Sequence, residues 1–353
     1  MNIGDIARLA GVGVSTVSRV INNHPDVKES TRERVWEIIK QNNYIPNNSA
    51  RILKQNNYIP NNSARILKQN NTKNIGVLVK GVFNPFFSQM INIIGNIIDK
   101  SGYTMILEQN DYNFYQDVEN LMGFIKEKKL QGVICLGGNF INIKEDSFSD
   151  IETPIVLTSV NTISKKGKKH YSSIGIDNIK ASYDATKYLI EKGHKKIALI
   201  LGDENDLGIS WWRLKGYRNA LKENNIQIDD ELELIGDYSC KKAYNETINL
   251  IKNRKDVSAI FALSDIMATG VAKAVIDSGL KIGDDISIIG FDGMDASKYY
   301  NPGLTTVNQP KRLMAETSIS LLFSLINGAE ENKQILLDTK LIERESCKDL
   351  LKK

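Results

Sequence analysis

Between positions 14 and 19 stand Val14, Ser15, Thr16, Ser18 and Arg19, a set suited to reading double-stranded DNA. Short hydroxyls can meet phosphate oxygens or base edges, and a guanidinium can pair bidentately with guanine. Asn22 and the loop 23–27 follow, where contacts to the sugar-phosphate backbone would fix position without reading sequence. This chemistry requires the side chains to stand in a row on one rigid element. A first helix is expected over about Gly4–Ala10, a break at Gly11 and a second helix over Val14–Asn22, with Gly11 and Gly13 permitting the sharp turn. Ile6, Leu9, Ala10, Val17 and Val20 fall on facing stripes and make a small core, which leaves the Ser/Thr/Arg row outward. The alternative is an ordinary helix pair with a polar face. Turn glycines, apolar stripe and outward row arriving together favour DNA.

A third helix is expected from Ser30, where Ser30-Thr-Arg-Glu33 has the capping-box pattern, through Val35, Ile38 and Ile39 to about Asn42. Charge supports the same end of the chain. Residues 1–73 hold eleven Lys/Arg against five Asp/Glu, whereas the whole chain is only +4, so the remainder is slightly acidic. A basic head on an acidic body is the electrostatic footprint of nucleic-acid binding confined to one end.

The 353 residues exceed one compact domain and suggest two or three. No run is apolar enough for a bilayer; Gly132–Leu136 and Ile286–Phe291 read as buried strands, and no membrane partner is expected. Met1–Leu9 carries Asp5 and Arg8 within a helix and lacks a secretory pattern, so the expected location is cytoplasmic. Cys135, Cys240 and Cys347 are far apart, which argues against a disulfide frame, a zinc site or any metal or cofactor. An enzyme is disfavoured as well. His24, His170 and His194 have no partner at triad or ligand spacing, and His194 is expected to end a helix. Gly11–Thr16 has phosphate-loop glycines but neither the strand before them nor the lysine after. Asp229-Asp230 and Asp284-Asp285 fall in expected loops as solvated pairs.

From Ile75 the pattern becomes alternating strands and helices. Strand candidates are Ile75–Lys80, Tyr103–Glu108, Gly132–Gly137, Pro154–Val160, Ser173–Asp177, Lys196–Gly202, Ala259–Ser264 and Ser287–Asp292. Amphipathic helices are expected over Pro85–Ser101, Phe114–Lys128, Asn178–Lys192, Trp211–Asn224, Ser239–Asn253 and Asp265–Ser278. The fold class is therefore an N-terminal all-α helix-turn-helix headpiece followed by an α/β core of two doubly wound parallel-sheet lobes. The expected divisions are a headpiece over 1–46, a hinge region over 47–73 and a core over 74–353. Within the core, lobe 1 takes 74–160 and 310–325, and lobe 2 takes 161–309 and 326–353. Thr305–Val307 and the helix Pro310–Asn327 read as a return crossing between lobes. Ligands of such sheets sit at the carboxyl ends of the strands, here in a cleft shared by both lobes.

Taken in order, Asp5-Ile-Ala-Arg-Leu-Ala-Gly, Ser15-Thr-Val-Ser-Arg-Val, Tyr-Ile-Pro-Asn with Ala-Arg-Xaa-Leu, Thr72-Lys-Asn-Ile-Gly, Asn84-Pro-Phe-Phe, Gly175-Ile-Asp-Asn178, Gly193-His-Lys-Lys-Ile, Arg213-Leu-Lys-Gly-Tyr217, Ile289-Gly-Phe-Asp292 and Leu304-Thr-Thr-Val-Asn-Gln-Pro310 resemble the LacI/GalR family of bacterial transcriptional regulators. The resemblance implies a homodimer on a near-palindromic operator, with recognition helices in two major grooves and paired hinge helices in the minor groove between. It places a kinking leucine at Leu53 or Leu67 with Ala64 beside the latter, and a periplasmic-type core holding a small effector; pocket polarity points to a sugar or sugar phosphate, with purines and other small metabolites as alternatives in the same cleft. It also implies effector contacts by Asn84, Phe86, Ser159, Arg213, Tyr238, Ser264, Asp292 and Gln309. Asp292 and Arg213 offer charge-assisted hydrogen bonds to hydroxyls, and Phe86 or Tyr238 a stacking face. Bland readings stand beside these: Asp292 capping the next turn, Arg213 in a surface ion pair, Phe86 in the core. Trp211 or Trp212 could overhang the cleft, though core packing of at least one is the more natural expectation. Repression is the commoner role in the family; activation, or dependence on a phosphoprotein corepressor, is the alternative on the same fold. An exported sugar-binding protein would explain residues 74–353 but not the basic helical head.

Residues 41–54, Gln-Asn-Asn-Tyr-Ile-Pro-Asn-Asn-Ser-Ala-Arg-Ile-Leu-Lys, recur unchanged as residues 55–68. The first copy has the family spacing from the headpiece and the second has it from the core, and one helix cannot satisfy both. Extended, the added residues reach roughly 45 Å. The expectation is that the second copy keeps the core-linked role while the first frays or forms an unpaired helix. Deleting 55–68 should then alter operator affinity or its response to effector; unchanged values of both would make the duplication inert.

Overall fold

The computed structural model describes residues 3–21, 24, 26–42, 73–81, 84–110, 117–140, 143–160, 169–203, 206, 208–328 and 331–352. The chain forms two compact units, Met1–Thr72 and Lys73–Lys353.

In the first unit, α1 (Ile3–Ala10), α2 (Val14–Ile21) and α3 (Glu29–Gln41) enclose Ile6, Ala7, Ala10, Val17, Val20, Val35 and Ile39. Leu9, expected in this core, is 52% exposed instead. At 3.6 residues per turn, positions 6, 7 and 10 share the inward face, and Ala7 takes the place given to Leu9. Gly11 adopts a left-handed φ of 62° and makes the turn, whereas Gly13 serves α2 by its carbonyl, which accepts from Thr16 N and Val17 N. The capping box at Ser30 does not form. Lys28 is the N-cap of α3, with no side-chain cap, and its carbonyl accepts from Thr31 N and Arg32 N. Val27 packs on the core just before it, so burial rather than the Ser30 hydroxyl sets where the helix begins.

The second unit contains two six-stranded sheets. In the first, β1 (Asn74–Lys80), α4 (Pro85–Lys100), β2 (Thr104–Asn110), α5 (Asp117–Lys128), β3 (Gly132–Leu136), β4 (Ile155–Thr158) and β5 (Ser172–Ile176) are joined late in the chain by α11 (Lys311–Ile326) and β11 (Gln334–Leu337). The strand order is β11-β5-β4-β3-β1-β2, and every pairing is parallel. Strand residues alternate between faces: Ile75, Val77 and Val79 pack with Ile94 and Ile98 of α4 and Met314 and Ile319 of α11, while Leu78 packs with Leu121 and Phe124 of α5.

The second sheet comprises β6 (Ile197–Leu201), β7 (Glu233–Ile235), β8 (Ala259–Ala262), β9 (Ser287–Asp292), β10 (Thr305–Asn308) and β12 (Lys340–Ile342), in the order β12-β10-β9-β8-β6-β7. Only β12 runs antiparallel to its neighbour. Its helices are α6 (Asn178–Glu191), α7 (Ile209–Glu223), α8 (Cys240–Asn253), α9 (Asp265–Asp277) and the short α10 (Asp295–Lys298).

The lobe boundaries differ from those expected. The first sheet keeps the chain as far as Ile176, not residue 160, because β5 pairs with β4 and Tyr171 just before it is buried edge-on against Phe148. Residues 334–337 also belong to lobe 1, since β11 extends the first sheet beyond β5; only from β12 does the tail join lobe 2. The return crossing lies between β10 and α11, and β10 itself stays in the second sheet. Helix α11 is pinned to lobe 1 by a buried contact of 2.7 Å between Ser318 Oγ and Thr158 Oγ1 at the end of β4.

Candidate functional site

Two sites emerge, one in each unit. On α2, Val14, Ser15 and Arg19 are exposed and Thr16 and Ser18 half-buried, while Val17 and Val20 anchor the opposite face. Arg19 reaches outward with a distant, 3.9 Å ion pair to Asp26. The row picked out from the sequence therefore lies together on one helix. Asn22, Leu53, Ala64 and Leu67, and the hinge region up to residue 72, lie outside the described residues.

In the second unit, strand ends from both sheets converge on a cavity of about 90 Å³. It brings together all eight positions picked from the sequence: Asn84, Phe86, Ser159, Arg213, Tyr238, Ser264, Asp292 and Gln309. Several are first of all structural. Asn84 caps α4, its Oδ1 accepting from Phe86 N, and Ser264 caps α9, its Oγ accepting from Met267 N. Phe86 packs in the core of lobe 1 and also lines the cavity. Ser159 just after β4, Tyr238 three residues past β7 and Asp292 at the last position of β9 hold left-handed φ values of 56°, 49° and 111°. Non-glycine residues in such conformations cost roughly 1–3 kcal/mol each and persist where surroundings over-determine them.

Arg213 is 3% exposed, not a surface ion-pair partner. Its Nε donates to Asn178 Oδ1 at 2.9 Å, its Nη1 to Leu263 O at 2.7 Å, and its guanidinium lies 3.5 Å from the Phe291 ring centre. Burial pulls its pKa below the ordinary value, opposed by Tyr238, Asp292 and Asp206; an arginine nonetheless stays cationic. Asp292 is equally buried. Burial pushes its carboxyl up to about 7, with Arg213 pulling downward and Asp265 adding to the rise. Its Oδ1 accepts from Gln309 Nε2 at 2.8 Å, whereas Asp292 Oδ2 and Gln309 Oε1 are buried without a protein partner. Nor does Asp292 cap the next turn, since the N-cap of α10 is Met294.

The cavity also recruits residues that sequence reasoning missed, among them Lys80, Phe87, Asn139, Asp203, Asp206 and Ile209. Lys80 donates to Asp117 Oδ2 at 2.9 Å, and the same oxygen accepts from Asn139 N. Asp206 accepts from Gly208 N, Ser210 N and the Tyr238 hydroxyl. Lys80 ends β1, Asn139 follows β3, and Asp203 and Asp206 follow β6, so the strand-end rule was a usable signal for all of them. Trp211 is 47% exposed and Trp212 half-buried beneath Lys215; neither lines the cavity, and neither supplies the expected core packing. His194 follows α6 as expected but is buried between Ser258 Oγ and Lys348 O, and burial lowers its pKa, so it is a neutral structural group. Among the described residues no cluster of three or more His, Cys, Asp or Glu is placed to hold a metal ion, and no helix is long and apolar enough to cross a membrane.

Known proteins give both units a context. Residues 2–47 match the family described as bacterial regulatory proteins, lacI family, and residues 186–347 match the periplasmic binding protein-like domain. The HTH-type transcriptional regulator MalR of Clostridium butyricum is 68% identical over 347 residues, covering 98% of this chain and 99% of that protein. Among solved structures, a complex of the transcriptional regulator CelR with cellobiose superposes with a TM-score of 0.67 at 28% identity, covering 98% of this chain and 99% of the other. The lac repressor dimer bound to operator and the anti-inducer ONPF gives 0.63 at 27% identity, covering 98% of each chain.

The buried carboxyl generates a stability prediction. A folded-state pKa raised to about 7 means that ionising Asp292 disfavours the native state, a penalty absent below the ordinary carboxylate range and complete above about pH 7. Asp292→Asn should therefore stabilise the ligand-free protein at pH 8 by about 1–3 kcal/mol and reduce the gain seen on acidifying to pH 6. Thermal melts at the two pH values check this; equal destabilisation at both would contradict it.

Proposed function

Because the chain belongs to the lacI family of bacterial regulatory proteins, we propose that it represses transcription as a homodimer on a near-palindromic operator, with an affinity set by a neutral saccharide. The exposed row on α2 reads bases in the major groove, and the basic residues of 1–73 supply the salt-sensitive attraction to phosphates. The protein acts in the cytoplasm, beside its DNA, and no catalytic step is needed for this role. The exported sugar-binding alternative leaves the α2 row without a use.

The observation that carries the effector assignment is that two residues of the cavity wall, Asp292 and Gln309, each hold a buried acceptor without a partner, Oδ2 and Oε1. Unmatched buried acceptors call for donors, and sugar hydroxyls are donors. The nearby cations are already engaged, Lys80 by Asp117 and Arg213 by Asn178 and Leu263 O. With Asp203, Asp206 and Asp292 also on the wall, a phosphorylated sugar would meet net negative charge. Phe86, Phe87 and Tyr238 offer apolar faces for a sugar ring. The CelR–cellobiose complex supports the saccharide class. Effector and operator then influence one another by linkage: a ligand favouring one lobe geometry shifts DNA affinity only through its differential affinity for the two states.

Titrating the full chain with cellobiose and other neutral mono- and disaccharides, and with glucose 6-phosphate, tests this reading. One neutral sugar should raise the melting temperature by mass action and change affinity for an operator selected from a random duplex pool. A larger shift with the phosphate would sink the neutral-ligand assignment, and no preference for any palindrome would sink the operator role. In the same binding assay, Arg19→Ala should weaken the best site by roughly 1–3 kcal/mol and relax sequence preference. Equal losses on all duplexes would recast Arg19 as a phosphate contact.

A further inference from the structure

Asp292, on the cavity wall, carries a buried unpartnered oxygen in a backbone conformation that an L-residue resists, with φ at 111° and the left-handed Gly293 following. Something must hold that turn. Lys311, at the start of α11, donates through Nζ to Asp292 O at 3.0 Å and to Gly293 O at 2.6 Å. Asp265, the first residue of α9, is 2% exposed and clamps the other side. Its Oδ2 accepts from Met294 N at 2.6 Å, and its Oδ1 accepts from the Thr306 hydroxyl at 2.7 Å, which in turn accepts from Gly293 N. Space for the Asp265 carboxyl exists because residue 290 is glycine: a Cβ there would lie 2.1 Å from Asp265 Oδ1. Neither Asp265 nor Lys311 lines the cavity.

We infer that Asp265 and Lys311 are positioning residues for effector recognition, holding the turn that aims Asp292 Oδ2 at the ligand. The inference rests on the reading of the cavity as the effector site. One carboxyl and one lysine that stand off the cavity wall are thereby given a shared purpose. Asp265 also adjoins Ser264 on the cavity wall, so one clamp fixes the α9 cap and the end of β9 relative to each other. Lys311 belongs to the helix that crosses back to lobe 1, so the turn is held from both lobes. The ionisable groups facing Asp292 are Arg213 from α7, Asp265 from α9 and Lys311 from α11, with the Gln309 amide between; Asp265 raises the Asp292 pKa and Lys311 lowers it.

The chemistry of Asp265 separates geometry from charge. An amide at 265 can still accept from Met294 N while donating to Thr306 Oγ1, whereas a methyl can do neither. The test uses the full chain and the neutral saccharide with the largest thermal shift. Asp265→Ala and Lys311→Met should each weaken its binding tenfold or more while operator binding without sugar is retained. Asp265→Asn should recover most of the lost affinity. Carboxyl-carbon NMR of ligand-free protein, with the Asp292 signal assigned by its loss in Asp292→Asn, should show the titration midpoint falling in Asp265→Asn and rising in Lys311→Met. Unchanged sugar affinity in both Asp265→Ala and Lys311→Met overturns the inference, as does failure of Asp265→Asn to rescue. If the wild-type chain binds no saccharide, the effector reading fails; the NMR arm still decides the clamp, which midpoints unmoved in both variants would overturn.

Discussion

Two opposite charges taken out of water at one cavity wall, Arg213 and Asp292, set the terms for the second unit. Removing each from solvent costs several kcal/mol, and the cost is tolerable only where hydrogen bonds and opposite charge replace hydration. The surroundings are built to that requirement. Asn178 and the Leu263 carbonyl take two guanidinium donors, and Phe291 presents its ring to the cation. Gln309 takes one carboxylate oxygen and Lys311 the carbonyl behind it. These partners come from the starts of α6 and α11 and the ends of β8, β9 and β10. Parallel pairing delivers them, because β8, β9 and β10 finish on the same side. Among the described residues of this wall, one oxygen each on Asp292 and Gln309 is left unmatched, the pair that the proposed effector would complete.

The headpiece solves a different problem with fewer resources. Among the described residues seven small and medium apolar side chains are buried in its core, two of them alanines, so the helices approach closely and the row on α2 has little freedom to tilt. Recognition there depends on rigidity of placement, since a side chain displaced from its base edge loses a directional hydrogen bond.

Much of this was legible in the amino-acid order, and the misses are instructive. Runs such as Gly132–Leu136 and Ser287–Asp292 announced buried strands because both faces are covered, and the α2 row followed from helical periodicity alone. Leu9 was misplaced because 6, 9 and 10 and 6, 7 and 10 fit a helical stripe almost equally well; only packing against α3 distinguishes them. Ser30 satisfied a local motif that the burial of Val27 overrode. Strand β5 could not be assigned to a sheet from its own residues, since membership is decided by pairing with β4 and by Tyr171 meeting Phe148. Five of the eight cavity positions, Asn84, Phe86, Arg213, Asp292 and Gln309, stand inside the quoted family motifs, whereas Asp203, Asp206 and Lys80 belong to none of them and went unnoticed. Asp265 was visible only as a helix start; its clamp needed β9, β10 and α10 to be in place.

The interleaving of the lobes has a consequence for how the protein is made. Lobe 1 begins at β1 yet lacks α11 and its edge strand β11 until residues beyond 310 have been synthesised. Until then the emerging chain displays the apolar sheet face later sealed by Met314, Ile319 and Leu322, together with an unpaired edge on β5. Lobe 2 likewise waits for β12 to cover β10. Both lobes are thus finished by segments beyond residue 310, so a chain halted before Lys311 would leave the first sheet without α11 and β11 and the second without β12.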